Sequence, residues 1–354
     1  MKELYGVPLK KQEITKRVGD MSQLADARLC ELESGRGRGV RAVELKTGSG
    51  LNATILPDRG MDIAWAEYKG VPLAYISKAG VCSPWLFEEP GFGFMRNFTC
   101  GLLTTCGIAN MGAVCTDQGK DYGLHGRISN IPAEDIGISK EWEGDDYVIR
   151  IRGKVRESAM FGENFTLTRE ISTKLGDTKI TLHDTIENCS FQRQPYMILY
   201  HYNFGFPLVS ATTKVYHSEG VVSPRDETAR SGFDSYDTLQ TPVPGFSEHC
   251  FNISMKDNRD DMLYACLFNR ELNMGAYIRY RKNDLDYLNE WKQMGEGDYV
   301  FGWEPSNCLP EGREKARSNN RLPYLEPGET REYRFEIGVL ENAGELAALG
   351  VKKP

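Results

Sequence analysis

The chain is poor in histidine, with five in 354 residues, and no stretch approaches the roughly 18 consecutive apolar residues of a membrane span. Its nine cysteines include no Cys-x-x-Cys pair, and the odd count fits reduced thiols in the cytosol rather than a disulfide framework. Positive charge is not gathered anywhere. The net charge is −7 and the Lys and Arg residues lie scattered among Asp and Glu, which argues against nucleic acid or an anionic membrane surface as partner. Met1 to Arg17 is charged and lacks the apolar core of a secretory signal. The Asn-x-Ser/Thr sequons at Asn52, Asn97, Asn164, Asn188 and Asn252 are therefore expected to carry no glycan. These absences together predict a cytoplasmic protein. With no low-complexity linker or composition break, one domain is expected over 25–342, with a lead-in at 1–24 and a tail at 343–354.

What is present is mostly strand. From Tyr147 to Arg156, Tyr147, Ile149, Ile151 and Val155 alternate with Val148 and a row of Arg and Lys, a period of two with one polar face. Phe165, Leu167 and Ile171 repeat the pattern, as do Ile180, Leu182 and Ile186, with Gly-Glu-Asn and Leu-Gly-Asp turns between them. Short turns demand antiparallel pairing, so these three form a meander. Further runs occur at Leu263–Phe268, Met274–Tyr280, Tyr299–Trp303 and Thr330–Leu340. Helical signals are confined to Met21–Glu33 and a short turn at Glu341–Leu349. The expected fold is all-β, a large antiparallel two-sheet sandwich with a short N-terminal helical segment. The stretches 77–140 and 217–250 show no clear alternation and read as long functional loops.

Two of the histidines sit in polar–aromatic runs, Gly123-Leu-His125-Gly-Arg127 and Tyr200-His201-Tyr-Asn203-Phe. A third run, Phe301-Gly-Trp303-Glu304-Pro, adds a carboxylate. As a strand, the second run puts Met197, Leu199, His201 and Asn203 on one face and Ile198, Tyr200 and Tyr202 on the other. Glu304 shares a face with Val300 and Gly302, where burial would raise its pKa toward that of a useful base. Gly123 and Gly126 let the backbone near His125 approach a ligand closely, and Arg127 offers a planar fork of donors. Each has a plain alternative: a core histidine bonded to its neighbours, a loop histidine without a partner, a solvated glutamate. His183 reads as solvent-facing, and His217 as lying in a loop. Two histidines and a glutamate also suit a catalytic metal, but neither His125 nor His201 has a spacing that presets ligands on one element. Gly35-Arg-Gly-Arg-Gly39 lacks the Lys-Ser/Thr of a phosphate loop and reads as a turn.

The His-Gly run, the His-Tyr-Asn-Phe run and the late glutamate resemble, in order and interval, those of the aldose 1-epimerases (galactose mutarotases). Leu56-Pro-Asp-Arg-Gly-Met-Asp-Ile63 and Gly70-Val-Pro-Leu73 are similar to the strand pair opening that fold. Arg96-Asn-Phe, Leu103-Thr-Thr-Cys-Gly107, Asp117-Gln-Gly and Trp291-Lys292 resemble a divergent bacterial branch of uncertain function, and the likeness spans residues 25–342. It implies His201 as general acid, Glu304 as general base, and His125 as a ligand of the sugar and its ring oxygen. It places Glu248 where mutarotases carry a sugar-binding aspartate. The usual Asn-Arg pair is missing from its loop, with Arg96-Asn97 there instead.

The implied chemistry is anomer exchange on a free or modified monosaccharide, which requires no cofactor and no metal. Arg127, Arg96, Asn203, Lys292 and Trp303 join the expected sugar-binding set, and a monomer or homodimer is expected. The alternatives are a non-catalytic carbohydrate-binding or sensing protein on the same fold, and another sugar isomerase or lyase with the same acid–base pair.

Overall fold

The computed structural model describes residues 3–256, 262–283 and 285–351. Two large sheets dominate. One has eight strands in the order Glu134–Glu143, Asp146–Ser158, Asn164–Lys174, Lys179–Asn188, Thr330–Leu340, Met274–Arg281, Met262–Asn269 and Thr213–His217. The other runs Gly220–Pro224, His249–Met255, Tyr287–Gly295, Asp298–Ser306, Met197–Gly205, Leu103–Ile108, Asp62–Tyr68, Leu51–Leu56, Arg41–Lys46 and Asp26–Glu31. A short strand, Val71–Pro72, pairs beside Asp62–Tyr68.

The alternation read from the sequence is the alternation of burial. The three-strand meander pairs antiparallel as its short turns require, with Ile151 opposite Ile171 and Ile171 opposite Leu182. Ile149, Ile151, Val155, Phe165, Leu167 and Ile186 all point into one core that fills the space between the sheets. Tyr200, Tyr202, Phe301 and Trp303 enter that core from the other sheet.

Three local expectations are corrected. Met21–Glu33 is not a helix. Only Met21–Gln23 forms a 3-10 turn, and Asp26–Glu31 is an edge strand paired with Arg41–Lys46. Helix is found earlier, at Lys11–Thr15. The stretch 77–140 is not loop throughout, because it holds the central strand Leu103–Ile108, in which every residue is buried. Both faces of that strand are covered, so it has no polar face to betray it by alternation. His217 likewise ends a strand rather than sitting in a loop.

The two sheets are joined by a polar network inside the core. Arg169, fully buried, donates from Nε and Nη2 to Asp184 of its own sheet at 2.8 and 2.7 Å. From Nη1 it reaches Asp62 of the other sheet at 2.8 Å, and from Nη2 the Thr105 hydroxyl at 2.8 Å. The Tyr200 hydroxyl donates to Asp184 at 2.8 Å, and Asp62 accepts from the Thr105 amide and hydroxyl. A second link comes from Glu157, whose carboxylate accepts the amides of Ile108 and Ala109 at 2.9 and 3.1 Å.

Replacing Arg169 with Met leaves Asp62 and Asp184 buried without their cation. Loss of one partner of such a pair typically costs about 3–5 kcal/mol. Urea unfolding of Arg169→Met is expected to show a loss of that order, and a loss under about 1 kcal/mol would refute the network as the tie between sheets.

Candidate active site

The Met197–Gly205 strand lies between Leu103–Ile108 and Asp298–Ser306, near the middle of the larger sheet. Its inward residues belong to the inter-sheet core. Met197 and Leu199 point outward into a second cluster with Phe94, Phe98 and Cys106. His201 points outward too, and the parity of the neighbouring strand brings Glu304 to it. His201 Nε2 lies 3.1 Å from Glu304 Oε1, and both side chains are buried. Gly302 eases the approach: a Cβ there would sit a tight 3.3 Å from His201 Cε1 and 3.2 Å from Trp291 Cβ.

His125 comes from a loop that folds over the strand. Its ring centroid is 5.9 Å from that of His201, near perpendicular, and Phe94 packs against it at 5.3 Å. The loop is held by its backbone. His125 N donates to Gly112 O at 2.8 Å, His125 O accepts from Gly107 N at 3.0 Å, and Arg127 N donates to Gly107 O at 3.1 Å. His125 adopts a φ of 58°, an uncommon left-handed conformation for a residue with a side chain. Gly126 follows at φ 71° in a place only glycine can fill, since a Cβ would meet Asn110 O at 2.3 Å and Gly107 O at 2.4 Å.

Around these groups opens a cleft of about 730 Å³. Trp291 stands edge-on to His201, ring centroids 5.2 Å apart, and its indole donates to Glu248 Oε2 at 2.8 Å. Arg225 donates to the other Glu248 oxygen at 2.9 Å and to Asp226 at 2.8 Å. Asn289 lies directly across from Glu304 in the neighbouring strand and holds the Glu304 carbonyl through Nδ2 at 3.1 Å.

Burial sets the protonation of the site. It pushes the Glu304 carboxyl up to about 8, assisted by the Glu248 charge and opposed by Arg225. Burial holds the His201 imidazole well below its ordinary value, and the nearby His125 works in the same direction. His125 is lowered to about 4, again chiefly by burial. A neutral imidazole facing a protonated carboxyl is a hydrogen-bonded pair holding one proton, rather than an ion pair. His201 Nδ1 and Asn203 Oδ1 are both buried, two residues apart on one strand face, with no hydrogen bond of good geometry, and Asn203 opposes in part the lowering of the His201 pKa. Asn203 Nδ2 is tied to the carbonyls of Gly101 and His201.

Of the residues singled out from sequence, His125, His201, Glu248 and Glu304 line the cleft. The others do not. Trp303 points to the opposite side of its strand and is fully buried in the inter-sheet core. Strand alternation requires this, since its neighbour Glu304 faces out. Lys292 is turned inward for the same reason and donates to the carbonyls of Ser235 and Thr238, anchoring that loop. Asn203 is fully buried, its amide donating to the Gly101 and His201 carbonyls. Arg96 pairs with Glu88 and Arg127 with Glu89 outside the cleft. Sequence reading missed Trp291, Arg225, Asn252 and Asn289 as lining residues. Strand parity counted from Glu304 would have selected Asn289 and Trp291 over Lys292 once their register was known. Among the described residues, no group of three or more His, Cys, Asp or Glu is arranged to hold a metal ion, and no helix is long and apolar enough to cross a membrane.

A large antiparallel sandwich with its cleft on the outer face of one sheet is the galactose mutarotase-like fold of the aldose 1-epimerase superfamily. A proposed aldose 1-epimerase from Klebsiella pneumoniae superposes with a TM-score of 0.87 at 27% identity, covering 93% of this chain and 88% of that one. A galactose mutarotase-like protein from Clostridium acetobutylicum gives 0.63 at 15% identity, covering 90% and 99%. A galactose 1-epimerase from Lactobacillus acidophilus gives 0.55 at 11%, also covering 90% and 99%. Within that superfamily, the chain belongs to the family of the domain of unknown function DUF4432, whose model matches residues 37–339. A search of curated protein sequences finds no match.

The backbone path that carries His125 depends on Gly126. Gly126→Ala is expected to destabilise the protein by about 1–3 kcal/mol, as forced strain of this kind does. Urea unfolding measures this, and an unchanged midpoint would show that the loop tolerates the displacement.

Proposed function

We propose that the protein interconverts the anomers of a free or modified monosaccharide, using His201 and Glu304 as a one-proton relay. The observation that carries this reading is the buried 3.1 Å contact between the imidazole and the carboxyl on the cleft floor. Ring opening needs one group to take the proton of the C1 hydroxyl and another to give a proton to the ring oxygen. The C1–O5 bond then breaks to leave the open-chain aldehyde. After rotation about C1–C2 the same two transfers run backwards and close the ring as the other anomer. No proton is gained or lost in the cycle, and none need come from water.

The resting pair has the composition this demands, one donor and one acceptor. With Glu304 protonated and His201 neutral at rest, Glu304 is the donor for the first transfer and His201 the acceptor. On closure each returns what it took, so each serves as acid in one half-reaction and as base in the other. For ring opening this reverses the roles that the sequence resemblance implies, His201 as acid and Glu304 as base, and those roles apply only to ring closure. His125 stands near enough to His201 to hold the sugar, and its lowered pKa keeps it neutral. Trp291 presents an aromatic ring beside His201, held by its bond to Glu248. The likeness to the Klebsiella protein supports the same class of reaction.

NMR exchange spectroscopy over a panel of aldoses tests the proposal directly. His201→Asn and Glu304→Gln are each expected to lower the rate by at least about 10²-fold, the usual contribution of one positioned acid or base, with sugar affinity kept within a few fold. Wild-type turnover in either variant would remove that residue from the mechanism. Retained binding with no exchange in the wild type would instead indicate a sugar-binding protein.

The pH dependence follows from the same shifts. As pH rises through about 8, Glu304 ionises and the pair loses its proton. At low pH His201 gains a second one, at a point well below the ordinary histidine value. A bell-shaped kcat/KM profile is expected, read as macroscopic values of the coupled pair. Its alkaline limb should lie near pH 8 and its acid limb below the roughly 6.5 of a free imidazole. A profile still rising past the alkaline limit would contradict the relay.

A further inference from the structure

The cleft is polar only in part. The segment 84–96 brings Phe92 and Met95 to its lining, and Val114 joins them from the next loop. These three are exposed to 71%, 55% and 37%, although large apolar side chains gathered at one mouth are costly to leave in water. Leu309 and Pro310 extend the apolar lining. The cleft volume of about 730 Å³ falls in the roughly 300–1,000 Å³ range of pockets that enclose drug-sized ligands, and a bare hexose leaves much of it empty.

Charge points the same way. With Glu304 protonated, the cations on the lining are Arg225 and Lys315, against the carboxylates of Asp226, Glu248 and Glu311. Arg225 is already engaged by Asp226 and Glu248, and Lys315 lies 3.8 Å from Glu311. No surplus of positive charge awaits a phosphate or carboxylate, and an anionic sugar would meet a net acidic wall.

We propose that the substrate is an uncharged monosaccharide bearing an apolar substituent away from C1, and that Phe92, Met95 and Val114 seat that substituent. This rests on the mutarotase reading for the reaction, but the seat itself is a binding property. Phe92, Met95 and Val114 line the same cleft as His201 and Glu304, so a substituent on a sugar held at that pair shares the cavity with them. Covering the three side chains stabilises the complex by removing apolar surface from water. A hydroxyl or charge in the same place would lose its hydration without a partner.

The test uses matched pairs of reducing sugars, D-galactose with its 6-deoxy counterpart D-fucose, and D-glucose with 6-O-benzyl-D-glucose. Anomer exchange gives kcat/KM for each, and saturation-transfer NMR gives affinity independently of turnover. The apolar member of each pair is expected to be favoured about tenfold or more, since an apolar pocket discriminates against an added hydroxyl by up to about 10²-fold and gains roughly 10–200-fold from one buried methylene. Phe92→Ser should shrink that ratio several-fold, while Trp85→Ser, on the same segment but outside the cleft lining, should leave it unchanged. Exchange with a ratio near one in both pairs would overturn the proposal while leaving mutarotation intact. No exchange on any sugar would overturn the reaction, and the affinity ratios would still decide the seat. If sedimentation shows a dimer that both serine variants dissociate, and the ratio is near one, the apolar mouth is an interface and the proposal fails.

Discussion

Arg169 is the group on which the arrangement of the two sheets depends. A guanidinium with no access to water costs several kcal/mol in lost hydration, and it is tolerated only because its donors meet Asp184, Asp62 and the Thr105 hydroxyl. Those partners belong to both sheets, so the cation is satisfied only when the sheets stand in one register. An apolar core of Ile, Leu and Phe specifies distance but accepts small slips. A bidentate carboxylate does not. Tyr200 joins the network through Asp184, and Tyr200 adjoins His201 in the same strand. The position of the outward imidazole is thus set by a polar lattice on the inward side.

Burial is the second organising constraint. It turns His201 and Glu304, which in water would form an ion pair, into a neutral pair with one proton. The two groups meet because Gly302 leaves room for the ring and because two neighbouring strands place both residues on one face. Chemistry with no net proton change suits such a pair, since neither member must exchange with solvent between half-reactions. Among the charged groups of the cleft, Arg225 bridges Asp226 and Glu248, leaving the trio net acidic. Glu248 also orients the indole of Trp291, so one carboxylate links the charged edge of the site to its aromatic wall.

The loop of His125 shows what strand geometry alone does not supply. Its left-handed residue and the glycine after it are held by bonds to Gly107 and Gly112. Glu157 in turn reaches across from the opposite sheet to the amides of Ile108 and Ala109. The same outward face of the larger sheet therefore receives one catalytic candidate from a strand and another from a loop, with both supported from the other sheet.

Strand content, the antiparallel meander and the outward parity of His201 and Glu304 were legible in the sequence, because alternation is local: a residue's face follows from its neighbours whatever the partner strand. The same rule, applied from Glu304, turns Trp303 into the core, against the expectation that it binds sugar. Leu103–Ile108 was hidden because burial on both faces erases the period, and Met21–Glu33 misled because an edge strand with few buried residues resembles a helix start. Tertiary structure alone decided that Trp291 and Asn289 face Glu304 while Lys292 faces inward, since this depends on register between strands. It also decided that Arg225 reaches Glu248 and that Arg96 and Arg127 pair elsewhere. Long side chains on loops take whichever partner the fold brings within a few ångströms, and nothing in their sequence neighbourhood records that distance.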